Sequence, residues 1–279
     1  MSSGVVALVV ARDRQAHLDS VLLAAASQTL QPDHILLLDC SAEATLKTPG
    51  TLDVRSVPTP GAANLGAAIH QLRDSSPELA AARWWWILHD DSIPEPSCLR
   101  ALWEVADRGR TIGFVGAKQM SMDGTQLLEL GIHATRSARR LERISPGEID
   151  QGQYDSTSDV LAAGTAGALI RPEAWDAVGG IDPVLGPFGD GLDFGRRLHL
   201  AGYRVVVAPK ARIRHARLAL LPQGREEEAP RSGGGDDDTD LPLLNAAKSH
   251  LAHDPQDASF AARRFAQIYN WAKATPAPL

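Results

Sequence analysis

Three short, continuous apolar runs, each closing on polar or acidic residues, constrain this chain more than any other feature. They are Val5-Val6-Ala7-Leu8-Val9-Val10 ahead of Arg12 and Asp13, Ile35-Leu36-Leu37-Leu38 ahead of Asp39, and Trp84-Trp85-Trp86-Ile87-Leu88 ahead of His89-Asp90-Asp91-Ser92. A run of this length without polar alternation fits a strand buried on both faces, as in a parallel sheet covered by helices on each side. The intervening stretches read as those helices. His17 to Ser27 places Leu18, Val21, Leu22 and Ala25 on one side, and Pro32 closes it. Ala62 to Arg73 follows Pro60-Gly61, and Pro96 to Arg108 follows Pro94, which sits near its first turn. Val54 to Val57 adds a short strand. Strand and helix in alternation predict an α/β fold with a mainly parallel sheet. Ligands of such sheets bind beyond the carboxyl ends of the strands. Arg12, Asp13, Asp39, Asp90 and Asp91 are therefore expected along one edge.

The second half is less regular. A strand is expected over Ile112 to Gly116, a helix over Pro172 to Val178 ending at Gly179-Gly180, a helix over Leu192 to Ala201, and a final strand over Tyr203 to Ala208. Between them lies the small-residue run Ala162-Ala163-Gly164-Thr165-Ala166-Gly167, whose glycines let a strand approach a ligand or helix closely. The three consecutive tryptophans read as core and rim aromatics of their strand.

The 279 residues carry a net charge of −6, and its location matters. Between Pro222 and Asp240, seven acidic side chains stand against Arg225 and Arg231, so nearly all of the excess belongs to one segment rich in Gly and Pro. The expected organisation is a domain over 1–221, an acidic flexible linker over 222–240 and a helical segment over 241–279. No basic field points to nucleic acid. Cys40 and Cys98 lack metal or redox spacing and read as two reduced thiols.

Asp90-Asp91, after a buried strand and before a turn, is the strongest candidate for chemistry. Adjacent carboxylates repel unless solvated or neutralised by a cation. Hard oxygen ligands suit Mg²⁺ or Mn²⁺ bound jointly with substrate phosphates. Asp91 or Ser92 as the N-cap of the following helix explains the same residues without a metal.

An ordered set of segments separates these readings: VVARDR (9–14), SQTLQPDHILLLDCS (27–41), NLG (64–66), WWWILHDDSIPEP (84–96), GTAGALIRPEAWDAVGGID (164–182), FGDGLDFGRRLHLAGYRVVVAP (188–209), and then His215. Together they resemble the family 2 inverting glycosyltransferases, most nearly actinobacterial members whose acidic motif reads His-Asp-Asp. The resemblance implies a GT-A-type, Rossmann-like mixed sheet flanked by helices, followed by a C-terminal helical tail. It implies a nucleotide-diphosphate sugar as donor, and a glycan or lipid-linked cell-envelope acceptor. It places Ala11, Asp13, Asp39, Asn64 and Asp90 against the nucleotide sugar, with Asp39 on the base and Asp90 facing the ribose or the metal. Asp91 and His215 would hold the metal, while His89 stands where many relatives have a first Asp.

The family places its catalytic base in an acidic pair followed by x-Asp. The matching stretch here is Asp190-Gly191-Leu192-Asp193, with glycine for the second acid. Asp190 and Asp193 are the candidates, and both share a helical face with Arg197. An Asp193–Arg197 pair would account for Asp193 without catalysis. Two functions stay open: an active transferase, and a degenerate relative that binds sugar nucleotide without turnover. Neither Gly-x-Gly-x-x-Gly after the first strand nor a phosphate-binding Gly-x-x-x-x-Gly-Lys motif is present, which disfavours other nucleotide enzymes. Relatives of this kind often continue into membrane segments. The expectation is thus a soluble catalytic portion of a longer protein, at the cytoplasmic face of the membrane and associated with it through segments outside this chain.

Overall fold

The apolar runs become the centre of one sheet. The computed structural model describes residues 3–11, 15–62, 64–135, 140–141, 143–183 and 190–217. In chain order the elements are β1 (Val5–Ala11), α1 (Gln15–Ala26), β2 (His34–Asp39), β3 (Arg55–Pro58), α2 (Leu65–Arg73), α3 (Pro77–Ala81), β4 (Trp84–His89), β5 (Ser92–Pro94), α4 (Cys98–Ala106), β6 (Ile112–Met120), β7 (Leu127–Glu129), β8 (His133–Ala134), β9 (Arg140–Leu141), β10 (Leu169–Ile170), α5 (Pro172–Ala177), α6 (Asp190–Leu200) and β11 (Arg204–His215). The sheet runs β3-β2-β1-β4-β10-β6-β11-β5, with β7 added on β6. Its first four strands are parallel, β10 is antiparallel between β4 and β6, and β11 lies parallel to β6. β8 and β9 form a separate hairpin.

The runs are apolar throughout because each strand feeds two cores in alternation. Val6, Leu8, Leu36, Leu38, Trp85 and Ile87 face a layer closed by α2, α5 and α6 through Ile69, Leu72, Trp175 and Phe194. Val5, Ala7, Val9, Ile35, Leu37, Trp84, Trp86 and Leu88 face the opposite layer, closed by α1 and α4 through Leu18, Val21, Leu22, Leu99 and Leu102. All three tryptophans are fully buried, so the run is core and no sugar-stacking platform. Their indole N–H groups stay paired where they need to be: Trp85 donates to Leu79 O and Trp86 to Gly167 O.

Two expectations need correction. Pro94 does not open a helix; it ends β5, a three-residue edge strand antiparallel to β11, where a missing N–H costs no ladder bond. The last strand does not stop at Ala208. It absorbs a register shift between Ala208 and Arg212 against β6 and continues to His215. The polar segment after β6 is anchored from within by Lys118, whose ammonium meets both Asp150 oxygens at 3.0 and 3.1 Å and Asp155 at 2.6 Å. Cys40 and Cys98 are buried and form no disulfide. The segments expected as linker (222–240) and helical tail (241–279) lie outside the described residues, as do Arg12 and Asp13.

Candidate active site

The carboxyl ends of β2, β1, β4, β6 and β11 share one edge of the sheet. Register places Ala11 beside Asp39 and Val10 beside His89. Past His89 the chain turns through Asp90 and Asp91 into β5. Ser92 fixes this turn: its hydroxyl accepts from His89 N and donates to His89 O, both at 2.9 Å. Ser92 pairs in register with His215 of β11, and Ala216 N donates to Asp91 O at 3.0 Å. The two strand ends are thereby locked side by side. Neither Asp91 nor Ser92 caps α4, whose N-cap residue is Ser97.

This locking brings three ligand-type side chains together. His215 Nε2 lies 3.1 Å from Asp91 Oδ1, and the His215 and His89 rings meet edge to face with centroids 5.4 Å apart. One donor atom from each of His89, Asp91 and His215 falls within 4.8 Å of the others. Asp91 is buried and His215 nearly so. Burial, aided by the neighbouring His215, lowers the His89 pKa to about 4, so at neutral pH its ring is uncharged and keeps a lone pair. Two imidazoles and a carboxylate, brought together from the β4–β5 turn and the end of β11, are a donor set that fits a divalent first-row transition ion. The structure brings together Asp91 and His215, the two residues that the resemblance assigns to a metal, and sets His89 beside them.

Around this triad stand groups that the sequence reading passed over. Gln119, at the end of β6, presents Oε1 to His215 Nδ1 at 2.9 Å. Glu129 of β7 lies behind Gln119, and Thr165 Oγ1 sits 3.0 Å from His89 Nε2. A signal was present: Lys118-Gln119 interrupts an otherwise apolar strand, and Glu129 interrupts Leu127-Leu128 and Leu130. Polar residues that are buried within such runs need partners.

Other predicted residues are placed differently. Asp39 is fully buried, and its carboxylate accepts from Ser41 N at 2.9 Å, Ser41 Oγ at 2.5 Å and Leu46 N at 3.0 Å, pinning the loop after β2. Asn64 is the N-cap of α2: its Oδ1 accepts from Ala67 N at 3.1 Å, and its Nδ2 donates to Pro183 O. Two residues on, Gly66 is required because a Cβ there would lie 2.7 Å from Ile181 O. Asp90 is half-buried in the turn, and Ala11 O accepts from Cys40 N at 2.8 Å.

α6 carries the acids of the Asp190-Gly191-Leu192-Asp193 stretch. Asp193 is buried, and one of its oxygens takes Arg197 Nε at 2.7 Å and Nη2 at 2.6 Å. Arg197 is tied in turn to Val178 O at 2.6 Å. Asp190 is the first residue of the helix, and its side chain lies outside the described residues. Gly191 and Gly195, one turn apart, form a seam against residues 161–163. A Cβ on Gly191 would lie 2.6 Å from Ala163 O, and one on Gly195 would lie 2.7 Å from Ala162 Cβ. The glycine standing where the family has an acid is thus a packing residue.

Residues 3–227 match the family described as glycosyltransferase like family 2. The chain belongs to that family. Two mycobacterial relatives agree with the actinobacterial resemblance. An N-acetylglucosaminyl-diphospho-decaprenol L-rhamnosyltransferase of Mycobacterium tuberculosis is 26% identical over 230 residues, covering 71% of each chain. A galactofuranosyltransferase of Mycolicibacterium smegmatis is 28% identical over 235 residues, covering 82% of this chain and 74% of its own. Among solved structures, the mannosyltransferase of Pyrobaculum calidifontis in complex with GDP-Man and Mn²⁺ superposes with a TM-score of 0.51 at 15% identity, over 98% of this chain and 76% of that one. GalNAc-T7 with UDP, GalNAc and Mn²⁺ gives 0.56 at 13%, over 76% of this chain and 43% of that one. At such identities the structural likeness shows the fold alone, and that fold is GT-A. This family member is a glycosyl-transferring enzyme by kinship.

Proposed function

We propose that the chain transfers a sugar from a nucleotide-diphosphate donor to a glycan or lipid-linked cell-envelope acceptor, in a single displacement that inverts the anomeric centre. The observation that carries this reading is the convergence of His89, Asp91 and His215 at the carboxyl edge of the sheet. These three residues would hold the divalent ion. The two imidazoles favour Mn²⁺ over Mg²⁺, whose preference is for oxygen alone. When bound, such an ion neutralises charge that builds on the departing diphosphate. In this proposal Ala11, Asp13, Asp39, Asn64 and Asp90 would contact the nucleotide sugar.

Asp190 is the base in this proposal. Asp193 is committed to Arg197, whereas Asp190 opens the helix whose Gly191 seam abuts the segment leading to Gly164 and Thr165. Its carboxylate would take the acceptor hydroxyl proton as the new bond forms. In this proposal the catalytic unit is residues 1–221. No helix among the described residues is long and apolar enough to cross a membrane; in this proposal the donor is cytoplasmic and the lipid-linked acceptor is met at the inner face of the cell membrane.

The test is donor turnover with purified protein across a panel of nucleotide sugars, with Mn²⁺, with Mg²⁺ and with chelator. Turnover that needs Mn²⁺ and is lost in Asp190→Asn supports the reading. Gly191 motivates the alternative, a domain that binds sugar nucleotide without turnover. Donor-induced thermal stabilisation with no product under any condition would establish that alternative instead.

A further inference from the structure

His215 must present Nε2 to the metal site, and a ring with two nitrogens can do so only if something fixes its tautomer and orientation. The atom facing Nδ1 is Gln119 Oε1, at 2.9 Å. A glutamine amide is itself ambiguous, because its oxygen and nitrogen exchange places on a half-turn of the side chain. Here the far end of the amide decides. Gln119 Nε2 faces Glu129 Oε1 at 3.5 Å, and a carboxylate can only accept, so the nitrogen belongs on that side and the oxygen on the side of His215. Glu129 is itself buried and fixed, by Gly164 N at 2.5 Å on Oε1 and by Arg140 Nη2 at 2.6 Å on Oε2.

Gly164 shows how tightly this assembly is built. A Cβ at that position would lie 2.3 Å from Gln119 Nε2 and 2.4 Å from Glu129 Oε1, so any other residue would have to displace one of the two side-chain ends. The next residue, Thr165, bonds His89. One small-residue segment therefore supports both imidazoles of the triad: His89 directly through Thr165, and His215 through Glu129 and Gln119.

We propose that Glu129 and Gln119 are positioning residues: Glu129 sets the amide of Gln119, and Gln119 holds His215 in the tautomer and orientation that offer Nε2 to the cation. This rests on the metal reading above and adds two residues remote from the ion that govern its affinity. Groups that orient a metal-bound histidine typically change metal affinity 10- to 100-fold when removed.

The experiment is Mn²⁺ titration monitored by electron paramagnetic resonance of the free ion, on the whole chain and without sugar donor. Expected is a loss of about tenfold or more for Glu129→Leu, which leaves Gln119 Nε2 without the acceptor that sets its amide. Adding Gln119→Glu to Glu129→Leu supplies a carboxylate that accepts from His215 Nδ1 whichever way it is turned, and should recover most of the affinity. A purely structural role predicts no such rescue. Should Glu129→Leu fail to fold, Gln119→Met removes only the acceptor at His215 and serves in its place, with the same loss expected. Unchanged affinity in the single variant, or no recovery in the double variant, overturns the relay while leaving the metal site intact. Failure of the unsubstituted chain to bind Mn²⁺ overturns both.

Discussion

Replacing Gly191 by alanine adds one methyl group at the position where the family carries an acid, and the structure gives the cost. The new Cβ would lie 2.6 Å from Ala163 O, a backbone oxygen that cannot swing aside, so either α6 or the segment at 161–163 must shift. Overpacking of this kind costs about 1–3 kcal/mol, and a backbone obstacle argues for the upper part of that range. Against it stands the helix preference of alanine over glycine, worth at most about 1 kcal/mol. The net expectation is a destabilisation of about 1–2 kcal/mol. That lowers the melting temperature by about 2–8 °C for a domain of this size, with 1 kcal/mol corresponding to about 2–4 °C. Calorimetry or a thermal melt measures it directly. Gly191→Asp extends the test to function: it returns the family's acid but meets the same obstacle, so turnover should not rise. A Gly191→Ala protein that melts at or above the temperature of the unsubstituted chain would refute the packing account. A Gly191→Asp protein with increased turnover would show that the glycine is a lost base.

Three further outcomes are expected. Asp91→Asn or His215→Ala should weaken Mn²⁺ binding by more than about 100-fold in calorimetric titration, while the far-ultraviolet circular dichroism stays unchanged. Asp190→Asn should abolish turnover and keep donor-induced thermal stabilisation; Asp193→Asn should instead lower stability by about 1–3 kcal/mol, since Arg197 loses its buried anionic partner. The third concerns acid. Burial alone would raise the Asp150 carboxyl, but the hydrogen bonds from Lys118 and Gly152 and the charges of Lys118 and Arg212 hold it below the ordinary range. A lowered folded-state value adds stability above the unfolded pKa near ~4, and that stability is lost as pH falls through the folded value. Chemical denaturation at pH 3 and pH 5 should therefore show a smaller acid-induced loss in Asp150→Asn than in the unsubstituted chain.

The centre of the fold was legible because each inner strand must be apolar on both faces, which leaves an uninterrupted run and a polar terminus. The same feature exposed Asp91, and chain order exposed His215. The edge of the sheet was less legible. β5 has three residues including a proline, and the end of β11 carries Lys210, Arg212 and Arg214, so neither shows an apolar period. Their pairing is tertiary, set by the register shift on β6 and the His89–Ser92 turn. The sequence marks His89 only as standing in place of an Asp, and the approach of β11 is what makes it part of a donor set. Asp39 illustrates the converse. Its position was expected, but its internal bonds to Ser41 and Leu46 came from the short polar loop that follows, and no strand pattern encodes them.

The two-residue strand β10 has a bearing on how the chain assembles as it is made. Residues 5–89 can pair β1, β2, β3 and β4 among themselves by local crossovers as they emerge. β6 has no place beside β4 until Leu169 and Ile170 arrive to bridge Trp86 and Trp85 to Val115 and Phe114. Until then the growing chain bears a four-stranded half-sheet whose inner edge, at β4, is bare, and β6 paired to β7 alone, the kind of edges that invite pairing with another molecule. A chain interrupted before residue 169 is thus a candidate for chaperone capture or aggregation, whereas one interrupted after β11 has every strand of the sheet in hand.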